Sequence, residues 1–408
     1  VTLSDRELIE SLRQEGFDGG IAEHWDSCGY ALFHLLDIKK YATINSLATL
    51  DGLFTVTQVP TNTAYIPSMM GGSAGDRMSF LDRLLNTLAY LDIDRFLRHF
   101  FNEYQSLVDR ILDDPPNFGE LMANSSLVFL NSDPLADFPK HTSPRVIDIG
   151  GISVHAGHNP LDQYWSSVLD RRNHTIFMSY GTFVKSHLMP DSYKETIRET
   201  IKKFPEVTFV WKYEIPDHNI SLGIDNLIET TWAPQHDILH DSRLTAFITH
   251  GGQGSITESA GAGVPLICIP VTADQLRNAA QVERNKVGIF LNKEDLGRMG
   301  PLEDAIKRVL ENKSYKTNAV TLAHMIADRP FSMKNVFVRN MEFMVKYGPH
   351  HSFQHYGSQL SFIQYYLLDV FAFLALLGVC SLSIAFYSLY LVTEYLSGYL
   401  IFKKVKSH

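Results

Sequence analysis

From Val370 to Val392 the chain reads VFAFLALLGVCSLSIAFYSLYLV, about 23 residues without a charge and long enough as a helix to cross a bilayer core of about 30 Å. A helix apolar on every side has to be covered, by protein or by lipid. Asp369 and Glu394 bracket the run, and Tyr365, Tyr366, Tyr395 and Tyr399 can supply aromatic belts at its two ends. Lys403, Lys404 and Lys406 place positive charge on one short tail, which predicts a cytosolic tail and puts everything before Asp369 across the membrane, in the lumen. Lys404 and Lys406 also resemble a dilysine retrieval signal of endoplasmic reticulum proteins. The alternative reading, not the favoured one, is that these lysines only stop transfer and set topology. Sequons at Asn124, Asn173, Asn219 and Asn312 agree with lumenal exposure.

The remainder is long enough for two domains of ordinary size in a chain of 408 residues. A formal net charge of −9 argues against a broad nucleic-acid footprint, which needs a basic face. Cys28, Cys268 and Cys380 lie far apart and show no metal-ligand spacing, so disulfides and a zinc site are not expected. The other histidines, His350, His351 and His355 included, read as surface residues. The N-terminus reads as the middle of an amphipathic helix, with Leu8, Ile9 and Leu12 at helical spacing and Gly16 as its stop. The expectation is that further chain precedes Val1.

Strands and helices alternate along most of the sequence. A long amphipathic helix is predicted from about Arg77 to Leu112, with Phe80, Leu81, Leu84, Leu85 and Leu88 on one face and Pro115-Pro116 ending it. Leu127–Leu130 and Val146–Ile149 read as short strands, the second closed by Gly150-Gly151. A second series follows the connection at 153–162. Strands are expected at 175–178, 208–211, 230–232, 246–249 and 266–269, with helices at 193–204, 255–262 and 274–285. Short, nearly all-apolar strands between helices imply parallel sheets covered on both faces. The predicted fold is α/β, with two doubly wound Rossmann-like units facing a cleft plus the C-terminal membrane helix. Open parallel sheets bind ligands at such a cleft.

The chemistry concentrates between Trp232 and Gln275. Phe247-Ile248-Thr249 reads as a strand and His250-Gly251-Gly252-Gln253-Gly254 as a glycine-rich turn. A helix follows from Ser255, which is expected to cap it with its hydroxyl. Glycines let backbone approach a ligand closely, and free N–H groups at a helix start attract phosphate. The turn has neither the dinucleotide GxGxxG spacing nor the phosphate-loop lysine, which lowers nicotinamide and ATPase readings. Upstream, Trp232-Ala233-Pro234-Gln235 offers an indole on which a nucleobase can stack. Glu258, one helical turn beyond Gly254, is placed to hold ribose hydroxyls. Asp274-Gln275 ends the series at the edge of another strand. Together these residues trace a nucleotide followed by a polyhydroxylated group.

At this point the sequence resembles the UDP-glycosyltransferase family, in its animal UDP-glucuronosyltransferase-like branch. The resemblance rests on Trp232-Ala233-Pro234-Gln235, Asp237-Ile238-Leu239, Phe247-Ile248-Thr249-His250-Gly251-Gly252, Glu258, Gly263-Val264-Pro265, Pro270 and Asp274-Gln275. It extends through Asn131-Ser132, Gly150-Gly151 and Gln364-Tyr365-Tyr366, covering almost the whole chain. It implies a GT-B fold: a partial N-terminal acceptor domain at 1–152, a linker at 153–165 and a UDP-sugar donor domain at 166–345. A juxtamembrane segment at 346–368, a transmembrane helix at 369–393 and a tail at 394–408 complete the chain.

By position, the resemblance makes Trp232, with Ala233 beside it, the uracil-stacking element. Gln235 becomes a ribose or base contact, and Glu258 the acceptor for ribose hydroxyls. His250, Gly252, Gly254 and Ser255 would form the diphosphate cradle, with Ser179 and Thr182 on an adjacent loop, and Asp274 and Gln275 would hold the sugar. Relatives often carry Asn where Gly254 stands and Arg where Lys212 stands. One phosphate contact is therefore expected to pass to backbone or water, and the bidentate geometry at Lys212 to be lost.

The implied reaction inverts the anomeric centre by direct displacement, moving glucuronate or glucose from a UDP-sugar to a hydroxyl of a small lipophilic acceptor. The general-base histidine of the family matches no residue here and is expected to lie before Val1. The acid that orients it maps to Glu23, with Asp26 as the fallback. On that ground the chain as given is expected to bind donor with little or no transfer, and a second reading is a non-catalytic UDP-sugar-binding or regulatory partner form. The UDP-sugar is a co-substrate and no cofactor or metal is called for. Homo- or hetero-oligomers are left open.

Overall fold

A computed structural model describes residues 2–25, 27–48, 51, 61–71, 75–154, 157–353 and 356–405. The chain divides into two compact units, Val1–Gln354 and His355–His408.

Among the described residues the first unit holds two parallel sheets. The smaller contains β1 (Gly20–Glu23), β2 (Tyr41–Asn45), β3 (Leu127–Leu130) and β4 (Val146–Asp148), in the order β1-β2-β3-β4. The larger contains β5 (His174–Ser179), β6 (Val207–Lys212), β7 (Leu227–Thr230), β8 (Leu244–Thr249), β9 (Leu266–Cys268) and β10 (Gly288–Phe290). Its order is β10-β9-β8-β5-β6-β7. The centre of this sheet is apolar on both faces: Ile176, Phe209, Trp211, Ile248 and Ile267 pack in one cluster, and Phe177, Val210, Phe247 and Cys268 in another. This two-sided burial is what all-apolar parallel strands require.

The strand order reverses between β5 and β8, where Ser179 stands opposite Thr249 at the carboxyl ends. A ligand crevice in a doubly wound sheet opens at such a switch point.

Three expectations shift. The predicted long helix runs Phe80–Ile111, started by a capping box between Ser79 and Asp82. Its leucine-rich face is not the buried one. Phe80, Leu81, Leu84, Leu85 and Leu88 are exposed, while Asn86, Ile93, Leu97 and Val108 turn inward. Asn86 is tolerated there because it is saturated: its Oδ1 accepts from Ser68 N–H, and its Nδ2 donates to the carbonyls of Thr63 and Ile66. The strand expected at 230–232 ends at Thr230, which leaves Trp232 beyond the sheet edge. Helix Met333–Tyr347, all but its last two residues in the segment 166–345 expected to belong to the second sheet, packs on the first one. Phe337 meets Phe129 at 4.8 Å between ring centres, and Met341 and Met344 join the same cluster.

In the second unit, Ser361 caps a short helix, Phe362–Tyr365, and a long helix follows over Leu368–Val405. Within its stretch Leu368–Gly398 an 18-residue window has mean hydropathy 2.3 and no buried residue, so the helix is long and apolar enough to cross a membrane. The span expected at 369–393 lies inside this longer, unbroken helix.

Candidate active site

The carboxyl ends of β5, β6 and β8 bring Ser179, Lys212 and His250 together. After β5 the chain turns through Gly181 and the exposed Thr182. Lys212, ending β6, donates from Nζ to the Gly181 carbonyl at 3.1 Å. Lys212 thus stands under the Ser179–Thr182 loop and holds its backbone.

His250 follows β8 and is almost buried. Its Nδ1 lies 3.3 Å from Thr249 Oγ1. The ring fits because two neighbours lack a Cβ: one on Gly181 would stand 2.7 Å from Cε1, and one on Gly252 2.6 Å from Nε2. Burial, with the Lys212 ammonium second, pulls the imidazole down to about 4, so it is neutral at physiological pH. A neutral imidazole offers phosphate an N–H donor rather than a charge.

Helix Gln253–Ala262 opens immediately afterwards, and here the expectation of a hydroxyl cap is corrected. The N-cap is Gly252, no side chain caps it, and Ser255 sits buried inside the first turn. A glycine cap lets the first N–H groups face the crevice unobstructed, with the positive end of the helix dipole behind them. Gly254 is exposed, and a Cβ there would meet nothing within 4 Å.

On one side of this turn, Trp232 is 66% exposed beside the buried Ala233. Gln235 starts helix Gln235–His240 and donates from Nε2 to Glu258 Oε2 at 2.6 Å. On the other side, helix Gln275–Arg284 has Asp274 as its N-cap residue. Asp274 and Gln275 lie beside the glycine turn. Asn278 Nδ2 donates to both Gly251 O (3.0 Å) and Asp274 Oδ2 (2.7 Å). Gln275 Oε1 accepts from the Val271 and Thr272 N–H groups, which leaves its amide nitrogen for a ligand. Burial raises the Asp274 carboxyl, against the Asn278 hydrogen bond. Asn278 was missed by sequence reasoning, though its place one helical turn after Asp274 was a usable signal.

Glu23 stands apart, at the carboxyl end of β1 in the other sheet. Its Oε1 accepts from Ser46 N (3.3 Å) and Oγ (3.5 Å), and burial raises its carboxyl. Asp26 lies outside the described residues. The neighbouring His24 is fully buried, edge-on to Trp25 and Phe101, and burial lowers its imidazole to about 3. It therefore faces the core.

The architecture is similar to two solved glycosyltransferases. One is UDP-glucose: anthocyanidin 3-O-glucosyltransferase in complex with UDP (TM-score 0.57, 15% identity, 84% of this chain and 79% of that one). The other is the glycotransferase of kitacinnamycin (TM-score 0.55, 16% identity, 82% and 79%). The fold is GT-B. The profile of the family described as "UDP-glucoronosyl and UDP-glucosyl transferase" matches residues 1–403. The chain belongs to this family. Among its UDP-glycosyltransferase relatives are UDP-glucuronosyltransferase 1A7 of Mus musculus, 30% identical over 91% of this chain and 68% of that protein. UDP-glucuronosyltransferase 1A10 of Homo sapiens is 30% identical over 91% and 69%. Membership makes the chain an enzyme of sugar transfer from a UDP-sugar.

Proposed function

We propose that this UDP-glycosyltransferase moves glucuronate or glucose, with inversion, to a hydroxyl of a small lipophilic acceptor, from a lumenal site at the endoplasmic reticulum membrane. The observation that carries the donor part is the crevice at the β5/β8 switch point. There the uncapped start of helix Gln253–Ala262 directly follows His250, Asn278 ties Asp274 to the glycine turn, and the exposed Trp232 leads into Gln235, which bonds Glu258 on that helix. Uracil stacks on Trp232, the ribose hydroxyls meet Glu258 and Gln235, and the diphosphate sits on the amides of Gly252, Gly254 and Ser255. Ser179 and Thr182 border the phosphates, and the sugar hydroxyls meet Asp274 and the amide of Gln275.

As the acceptor oxygen attacks the anomeric carbon, a general base oriented by Glu23 takes its proton, the bond to the diphosphate breaks, and UDP leaves. Charge growing on the leaving diphosphate meets the helix N-terminus and the neutral His250 donor. Segments 1–152 and 166–345 supply acceptor and donor surfaces respectively, joined by 153–165. The helix within Leu368–Gly398 anchors the protein in lipid, with its short tail in the cytosol.

Calorimetric titration of the full detergent-solubilised chain with UDP, UDP-glucose and UDP-glucuronate tests this reading. UDP should bind, one UDP-sugar should bind in preference to the other, and NAD should not bind. A chain that binds NAD and ignores UDP refutes the reading.

A further inference from the structure

Helix Gln275–Arg284 does more than present Asp274 and Gln275: its first turn is tied to the other half of the fold. Arg277 is 1% exposed and pairs through Nη2 with Asp137 Oδ1 at 2.7 Å, itself 1% exposed. Its Nε donates to Pro67 O at 3.2 Å, and its guanidinium lies 5.2 Å from the centre of the Phe138 ring. Asp137 is held in turn by Ser132 Oγ (2.7 Å) and Lys140 Nζ (3.2 Å), and Lys140 reaches Asp148 on β4 at 3.1 Å. The pair therefore joins the donor-side helix to the end of the first sheet. Seven residues further along, Arg284 repeats the contact, bonding Asp76 at 2.8 Å over the same Phe138 ring.

A desolvated ion pair is a poor source of net stability, because the cost of drying two charges offsets most of their attraction. What such a pair does supply is register, since neither partner can slide without leaving the other buried and unpaired. The register fixed here is that of a particular turn. Asn278, the next residue, bonds the glycine turn and Asp274, so the first turn of this helix is held from two directions. Arg277 holds it to the first half, and Asn278 to the diphosphate turn.

We propose that Arg277 and Asp137 are positioning residues that set Asp274-Gln275 against the donor sugar, so that contact between the two halves of the fold governs recognition of the sugar but not of UDP. This rests on the reading that Asp274-Gln275 hold the sugar. The residues assigned to uracil, ribose and phosphates lie on other elements and make no direct bond to the pair. Asp137 remains ionised in this setting: burial alone would raise its carboxyl, but Arg277 and Lys140 outweigh burial and hold it below the usual carboxylate range.

The test is binding of UDP and of the preferred UDP-sugar to the full chain and to Asp274→Ala, Arg277→Met, Arg277→Lys and Asp137→Asn. Displacement of a positioned group by about 1 Å can cost up to about a hundredfold, so Arg277→Met should weaken the UDP-sugar by at least about tenfold. UDP itself should stay within about twofold in all variants, and Arg277→Lys should recover part of the loss. Asp137→Asn, which keeps the shape of the side chain, should reproduce the Arg277→Met effect. If Asp274→Ala leaves the UDP-sugar untouched, the sugar-pair reading falls and this inference with it. If Asp274→Ala weakens the sugar but Arg277→Met does not, or weakens UDP equally, the inference alone falls.

Discussion

Gln235 donates from Nε2 to Glu258 Oε2 at 2.6 Å, joining the start of one helix to the middle of the next. The bond fixes one carboxylate oxygen and leaves the other to accept from a ribose hydroxyl in the proposed donor pose. A hydrogen bond to a charged group contributes about 1.5–3 kcal/mol, which is roughly ten- to a hundredfold in affinity. Glu258→Gln should therefore weaken UDP by at least about tenfold. In the parent, 2′-deoxy-UDP should show a similar loss, and in the variant the two nucleotides should bind alike. Unchanged UDP binding by Glu258→Gln, measured by calorimetry, removes Glu258 from the site.

Two glycines of the same turn should answer an added methyl in opposite ways. At Gly252 a Cβ would stand 2.6 Å from His250 Nε2, so Gly252→Ala must push the imidazole out of its slot. Overpacking of this kind costs about 1–3 kcal/mol, and UDP binding should fall with it. At Gly254 nothing lies within 4 Å, and the residue is inside a helix. Gly254→Ala should stabilise the nucleotide-free protein by about 0.5–1 kcal/mol. Thermal denaturation of both variants without nucleotide checks the contrast, and equal behaviour would show that the His250 slot is not tight.

Acid stability follows from the same histidine. The folded imidazole of His250 stays neutral down to about 4, whereas in the unfolded chain it protonates below the ordinary histidine value of 6.5. Between those values the unfolded state binds the extra proton, so stability rises with pH through the window and is lost as pH falls through it. At about 1.4 kcal/mol for each pH step across that window, the full effect is roughly 3 kcal/mol. His24, lowered to about 3, acts in the same direction. Denaturant midpoints measured from about pH 6.5 to about pH 4.5 should fall less steeply in His250→Gln than in the parent. Parallel slopes would mean that the His250 ring is charged in the folded protein.

The sequence made the larger sheet legible because β5, β6, β8 and β9 carry apolar runs at their centres, as two-sided burial requires. β10, three residues long, carries too little pattern to read, and β2 buries Thr43 and Asn45. Thr43 Oγ1 pairs there with Tyr30 and Ser125, and Asn45 Oδ1 accepts from the Trp25 indole and Leu47 N–H. Tyr30, Ser125 and Trp25 lie too far along the chain to leave a local signal. Hydroxyl residues are the usual N-caps, but here the cap falls on Gly252, so no side chain covers the helix start that the proposed site gives to phosphate. Asp137 and Arg277 were invisible for the reason that hides most tertiary ion pairs. Each is an ordinary charged residue until the fold brings the two together.

Trp232 offers the most direct optical test of the donor site. Trp165 and Trp211 are buried in the core around the larger sheet, while Trp232 is 66% exposed just past the end of β7. Its backbone is closed on Thr230, whose Oγ1 donates to Trp232 O at 2.6 Å, so the backbone that carries the indole is held just past the strand end. A base stacked on an aromatic side chain contributes about 1–3 kcal/mol, and Trp232→Ala should therefore weaken UDP by about fivefold or more. The fold should survive, because an exposed side chain leaves no cavity when removed. Titration with UDP should quench fluorescence in the parent and leave the variant almost unchanged. Quenching that persists in Trp232→Ala would move the base to another part of the crevice.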